Sequence, residues 1–197
     1  MTTLTTPRLS LRPFAASDAG DFQRLAGDWN IARMTSDIPH PLDEAGARHW
    51  LTPATEEQRF AICLDGQLIG GVGTFRRASG VGELGFWLGT AWWGQGMATE
   101  AASAVIAYGL ATDAYASFSS SHFDDNPASR RVLEKLGFEP AGRGEIWSVA
   151  RRASVPTQWL WLSLAQAREL HVDHTQARST RARGWSTSLL GRLVRTN

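Results

Sequence analysis

Apolar positions along the chain follow two periods, and the switches between them lay out the elements. Alternation of Leu9 and Leu11 opens a strand over residues 9–12. Ser17 and Asp18 offer caps for a helix reaching about Ala26, with Phe22 and Leu25 on its apolar face. The stretch from Trp29 to Pro41 holds neither period and is expected to be irregular. A helix starting at Asp43 and Glu44 carries Ala47, Trp50 and Leu51 inward. Residues 59–64 and 67–75 read as strands joined at Asp65-Gly66, a strong tight-hairpin signal. Residues 82–89 form the next strand. The helix that follows reaches about Leu110, with Ala98, Ala101, Ala102, Val105 and Ile106 at helical spacing. A strand at 115–122, a helix from Pro127, and strands near 145–150 and 157–164 complete the body. Hairpins first and a strand–helix–strand–helix section after them predict an α/β (α+β) fold. Its central sheet is mixed and largely antiparallel, with helices on both faces.

A length of 197 residues suits one domain with one sizeable core. The domain is expected over residues 1–170. From 171 the composition changes to Arg178, Arg181, Arg183, Arg192 and Arg195 among Ser, Thr and Gly, an Arg-rich tail expected to be flexible. Net charge is +1, which gives no general attraction to nucleic acid or membrane. The single cysteine, Cys63, permits neither an internal disulfide nor a thiolate metal cluster, and it sits in an apolar strand as a buried filler. The polar N-terminus lacks a signal core and no run spans a bilayer, so a cytoplasmic protein is expected.

Two stretches carry candidate chemistry. In Gly85-Phe86-Trp87-Leu88-Gly89 and Trp92-Trp93-Gly94-Gln95-Gly96-Met97-Ala98-Thr99-Glu100, an apolar strand enters a glycine-punctuated turn and then a helix. Such a turn points several N–H groups at one place, and the helix adds its unpaired N–H groups and the positive end of its dipole. The product is an anion cradle suited to a pyrophosphate, although a plain strand-to-helix turn accounts for the glycines equally well. The second stretch, Asn126-Pro127-Ala128-Ser129-Arg130-Arg131, reads as an N-cap, a proline at the first helical position, and a helix closed at Gly137.

Together the two stretches resemble the acetyl-CoA pyrophosphate loop and the following helix of the GNAT acyltransferase superfamily, the latter ending in Leu136-Gly137-Phe138. The opening Thr6-Pro7-Arg8-Leu9-Ser10-Leu11-Arg12-Pro13-Phe14 and Ile38-Pro39-His40-Pro41 resemble its RimJ/RimL-like branch. The resemblance implies splayed central strands and acetyl-CoA as co-substrate, with no metal. It implies acetyl transfer to a primary amine, either a small molecule or a protein N-terminus. Phe86, Trp87 and Leu88 would then pair with the pantetheine arm, and Gly94, Gln95, Gly96, Met97, Ala98 and Thr99 would hold the pyrophosphate. An amide of Trp87 or Leu88 would face the oxyanion. Asn126 would touch pantetheine or cap its helix, and Arg130 or Arg131 would reach a phosphate. Trp93 departs from the family pattern, which starts this loop with Gln or Arg, while Gly96 and Ala98 match it. Leu133 stands where many relatives place a tyrosine acid, and Ser129 is the substitute.

For the base, Glu83 shares its strand face with Gly85 and Trp87, and His122 ends the strand expected to splay away. Trp29, Met34, Ile38, His40 and Trp50 would form the acceptor wall, favouring a partly apolar amine or peptide end. Trp147, Ser148 and Arg151 would close the other side. A noncatalytic CoA-binding or interaction module is the alternative. A dinucleotide oxidoreductase fits less well, because Thr99 stands where its third glycine belongs.

Overall fold

The computed structural model describes residues 2–52, 57–77 and 80–171, so the arginines of the tail lie outside the described residues. Eight strands form one sheet: β1 (Leu4–Thr5), β2 (Ser10–Pro13), β3 (Glu57–Leu64), β4 (Gln67–Arg76), β5 (Val81–Leu88), β6 (Ser117–Phe123), β7 (Glu139–Ser148) and β8 (Ala153–Ser163). Their order is β1-β2-β3-β4-β5-β6-β8-β7. Every neighbouring pair is antiparallel except β5 and β6, which run parallel. The β3–β4 hairpin turns on Asp65 at φ 50° and Gly66 at φ 83°, the left-handed pair that a two-residue loop requires.

Side-chain alternation in the strands divides the interior in two. Phe60, Ile62, Val72, Leu84 and Leu88 face α4 (Met97–Ala111), with Leu133 of α5 (Pro127–Lys135) and Ala167 of α6 (Leu164–His171) in the same cluster. Ala61, Cys63, Leu68 and Trp87 face the other way. They meet Phe22 of α1 (Ala19–Ala26), Ile31 of α2 (Trp29–Ala32) and Ala47 of α3 (Glu44–Leu51). Helices therefore cover both faces of a mixed, largely antiparallel sheet. Buried Cys63 is pushed up in pKa by desolvation, with the charges of Arg12 and Asp18 acting in opposite senses, so it remains an inert thiol.

Four expectations need correction. The stretch expected to be irregular begins with α2, a single turn capped by Asp28, whose side chain accepts from Asn30 N–H at 2.8 Å. β7 starts at Glu139, well before residue 145, because an edge strand tolerates Pro140 and the glycines after it. A short β1 precedes the expected first strand. The chain also turns from β8 directly into α6, capped where Gln166 Oε1 accepts from Ser163 N–H at 3.1 Å.

Candidate active site

β5 and β6 touch only at their beginnings. Val81, Gly82 and Glu83 pair with Ser117, Phe118 and Ser119, and Ser120 Oγ donates to Leu84 O at 2.8 Å. Beyond that point the strands part, while each stays fully laddered on its outer side, β5 to β4 and β6 to β8. Gly89 N–H donates to Ile69 O at 2.9 Å. By antiparallel alternation, Trp87 and Gly85 therefore aim their main-chain groups at β4, whereas Phe86 and Leu88 aim theirs into the gap. Of the two amides considered for the oxyanion, that of Leu88 is the one on the open side. Its carbonyl accepts from Trp93 Nε1 at 2.7 Å, which fixes the end of the strand against the turn.

Gly94 and Gly96 adopt φ of 75° and 77°, a region costly for any other residue. A Cβ on Gly94 would meet nothing within 4 Å, and one on Gly96 would meet only Arg8 Nη2 at 3.7 Å. The turn is thus open where a side chain would stand. Gly96 caps α4 with no side chain, and the first bond into the helix runs from Glu100 N–H to Gly96 O at 3.1 Å. The N–H groups of Met97, Ala98 and Thr99 precede it and remain available to an anion.

The gap opens into a cavity of about 780 Å³ lined by Phe86, Trp87, Leu88, Gly94, Gly96, Met97, Ala98, Thr99 and Asn126, and by Glu83, His122 and Ser129. Gln95 and Arg130 are not among its lining. The Gln95 carbonyl accepts from Arg8 Nη1 at 3.0 Å and its side chain turns back to Ala91 O. Arg130 lies on the outside of α5, paired with Glu134 at 2.7 Å, while Arg131 lines the cavity. Asn126 caps α5: its Oδ1 accepts from Ser129 N–H at 3.1 Å. The Ser129 hydroxyl makes no hydrogen bond among the described residues. Leu133 is fully buried in the core, far from a proton-donating role.

His122 and Glu83 stand differently. His122 Nδ1 lies 2.9 Å from Phe123 O. A carbonyl only accepts, so the neutral ring carries its proton on Nδ1 and its lone pair on Nε2. Glu83 shares its face with Gly85 and Trp87, and its carboxylate is ion-paired with Arg77. On the acceptor side, Met34, Ile38 and Trp50 line the cavity. Trp29 and His40 pack on each other instead, ring centroids 5.2 Å apart. Trp147 is exposed and, like Ser148 and Arg151, is not among the cavity lining. The β7–β8 turn instead braces the segment after α2, with Ser148 Oγ donating to Thr35 O at 3.2 Å, Val149 N–H to Ser36 O at 3.0 Å and Arg151 Nε to Arg33 O at 2.5 Å. Arg151 also holds Asp125 through two bonds of 2.9 and 3.0 Å. The guanidinium of Arg151, and to a lesser degree that of Arg33, keeps the Asp125 carboxyl below its usual range against a smaller desolvation effect.

The sequence model of the acetyltransferase (GNAT) domain matches residues 8–139, about two thirds of the chain. The chain belongs to the GNAT acetyltransferase family. No curated protein matches it in sequence. Solved structures of GNAT-type fold superpose well at low identity. RimJ of Mycobacterium smegmatis, in complex with CoA-disulfide, is 17% identical with a TM-score of 0.75, covering 90% of this chain and 93% of that one. A Salmonella typhimurium acetyltransferase that modifies the N-terminal serine of ribosomal protein L7/L12 is 14% identical with a TM-score of 0.72, covering 83% and 99%. The microcin C7 self-immunity acetyltransferase MccE, in complex with acetyl-CoA and AMP, is 15% identical with a TM-score of 0.71, covering 80% and 93%. At these identities the likeness establishes the fold.

Acetyl-CoA is the acetyl donor of GNAT enzymes, and the residues here fit its phosphates: the turn is open where a Cβ would intrude, and its amides are uncapped. Among the described residues no cluster of three or more His, Cys, Asp or Glu could hold a metal ion, and no helix is long and apolar enough to cross a membrane. One residue beside the turn was not singled out by the sequence. Arg8 reaches from the N-terminal segment to this turn, its Nε donating to Glu100 at 2.7 Å, while its Nη2 faces Gly96. The Arg8–Glu100 pair spans 92 positions, and no local pattern signals it.

Proposed function

We propose that this protein is an acetyl-CoA-dependent N-acetyltransferase that acetylates a primary amine by direct attack on the thioester, in the cytoplasm. The observation that carries this proposal is the free β5 edge at Phe86 and Leu88, which ends at an open, uncapped turn. Acetyl-CoA supplies an acyl carbon already activated as a thioester. Main-chain groups of Phe86 hold the donor's amide-bearing arm, and amides from Gly94 to Thr99 hold its pyrophosphate. Arg8 and Arg131 add positive charge at that end. The Leu88 N–H meets the negative charge developing on the acyl oxygen.

His122 Nε2 accepts the proton that the attacking amine sheds, directly or through a water, and Glu83 is the second candidate. As the C–N bond forms and the C–S bond breaks, the departing thiolate takes a proton from the Ser129 hydroxyl, which bulk water then restores. No covalent enzyme intermediate is involved. The acceptor is either a small amine or a protein N-terminus; the second is in line with the similar Salmonella typhimurium structure, an enzyme that modifies the N-terminal serine of ribosomal protein L7/L12. The test is calorimetric titration with acetyl-CoA, followed by thiol release across amines and N-terminal peptides. Stoichiometric binding and amine-dependent thiol release are expected. Absence of binding would overturn the proposal, and binding without any turnover would favour a noncatalytic module.

A further inference from the structure

The acceptor face of β4 and β5 has a hole in its side-chain layer. Glycines occupy adjacent positions there, with Gly71 opposite Trp87 and Gly73 opposite Gly85. Gly71 and Gly73 are demanded by packing. A Cβ would lie 2.6 Å from Trp87 Nε1 at Gly71 and 2.4 Å from Gln58 O at Gly73. Gly85 is different. Its φ lies outside the left-handed region, and a Cβ there would meet only Phe75 Cε2, at an ordinary 3.7 Å. Neither backbone nor neighbours require glycine at residue 85, so what its lack of a side chain provides is volume. That volume lies on the strand that borders the β5–β6 gap, with Phe75 and Trp87 on either side and Glu83 two residues along.

Charge around this hole narrows what enters it. Three carboxylates line the cavity, and each is engaged: Glu83 by Arg77, Asp125 by Arg151 and Arg33, and Asp37 by Trp50 Nε1 at 2.9 Å. Of the five cations that line it, Arg33, Arg59 and Arg77 are ion-paired with Asp125, Glu57 and Glu83, and Arg131 and Lys135 belong to α5. The second ammonium of a polyamine or aminoglycoside would therefore find no free carboxylate among those lining the cavity. One amine is favoured, because leaving a further ammonium without a partner carries a desolvation cost. Rings at Phe14, Phe75 and Trp87 and the side chains of Ile31 and Met34 offer the rest of the acceptor an apolar surface.

We infer that Gly85 marks the acceptor subsite, and that its occupant is a singly charged primary amine whose amine-bearing carbon carries an aromatic or bulky apolar group. The same chemistry is met in a free arylalkylamine and in a polypeptide beginning with an aromatic residue. This inference rests on the transfer function proposed above. The test compares kcat/KM for phenethylamine, tryptamine, spermidine, kanamycin, and peptides starting with Phe or Ser, for the native protein and for Gly85→Leu and Gly85→Ala. Aromatic monoamines or the Phe peptide should exceed spermidine and kanamycin by at least about tenfold, and whichever aromatic arm is faster identifies the source. Gly85→Leu should lose at least about tenfold for that acceptor with acetyl-CoA affinity within about twofold, and Gly85→Ala should lose less. Thermal unfolding of both variants verifies that the fold persists. A preference for spermidine or kanamycin, an unaffected Gly85→Leu variant, or a protein that binds acetyl-CoA and turns over none of these amines would overturn the assignment. Failure to bind acetyl-CoA would instead overturn the transfer function itself.

Discussion

Gly96 holds φ at 77° with open space before it, so the turn depends on a missing side chain rather than on a contact. Gly96→Glu places a carboxylate where phosphate oxygens would sit and forces a β-carbon into the left-handed region. Stability should fall by about 1–2 kcal/mol from the backbone alone. Acetyl-CoA affinity should fall by roughly 100-fold or more, because like charge replaces an anion-binding concavity. Gly96→Ala separates the two effects, as it carries the backbone cost without the charge; calorimetric titration of both variants measures the difference. His122 is the second decisive residue. Since its Nδ1 is committed to Phe123 O, only Nε2 is free to take a proton. His122→Gln should lower kcat/KM for amine-dependent thiol release by roughly 10²–10⁴. An unchanged kcat/KM would assign the base to Glu83 or to water.

At the scale of elements, α5 is held by one cap beside the cavity. Asn126→Ala removes the acceptor for Ser129 N–H and should cost about 1 kcal/mol in denaturant unfolding, whereas Asn126→Asp should recover most of it. The cap was readable because Asn126 and Pro127 are adjacent in sequence. Elements with a long period were equally readable: the spacing of Ala101, Ala102, Val105 and Ile106 already describes the buried face of α4. The hidden elements are those where period and turn chemistry conflict. Pro140, Gly142 and Gly144 look like a loop, yet they form the first half of an edge strand. α2 is a single turn, too short to show any period. In the site, sequence located the turn but not the direction of each amide. Choosing Leu88 over Trp87 requires the β4–β5 register, a property of two strands together. Arg8 was invisible for the same reason, since its partners lie far along the chain.

Over the whole molecule, three carboxylates join segments that are distant in sequence or direction. Asp18 holds Arg12 through two bonds of 2.7 Å and accepts from Ala15 N–H at 2.7 Å, fixing β2 to the start of α1. Glu100 receives Thr6 at 2.5 Å and Arg8 at 2.7 and 3.0 Å, fastening the N-terminal segment to α4. Asp125 and Arg151 tie the end of β6 to the β7–β8 turn. For Asp18 and Glu100 desolvation is the largest single influence and acts upward, but the hydrogen bonds and charges just named together outweigh it. All three carboxyls lie below their usual values of 3.8 for the aspartates and 4.5 for Glu100. A carboxyl with a lower pKa folded than unfolded binds its proton less readily in the native state. Its stabilisation is therefore complete above the usual value and is lost as pH falls through the folded one. The melting temperature should be nearly flat from about pH 7 to about pH 5 and drop steeply below about pH 4. Asp18, only 6% exposed, should carry most of that drop. Asp125 is half exposed and screened by water, so it should carry less. Asp18→Asn should lower the melting temperature at pH 7 and flatten its acid dependence, while Asp125→Asn should change both less. An equal acid slope in Asp18→Asn and the native protein would show that the Arg12–Asp18 pair contributes no net stability.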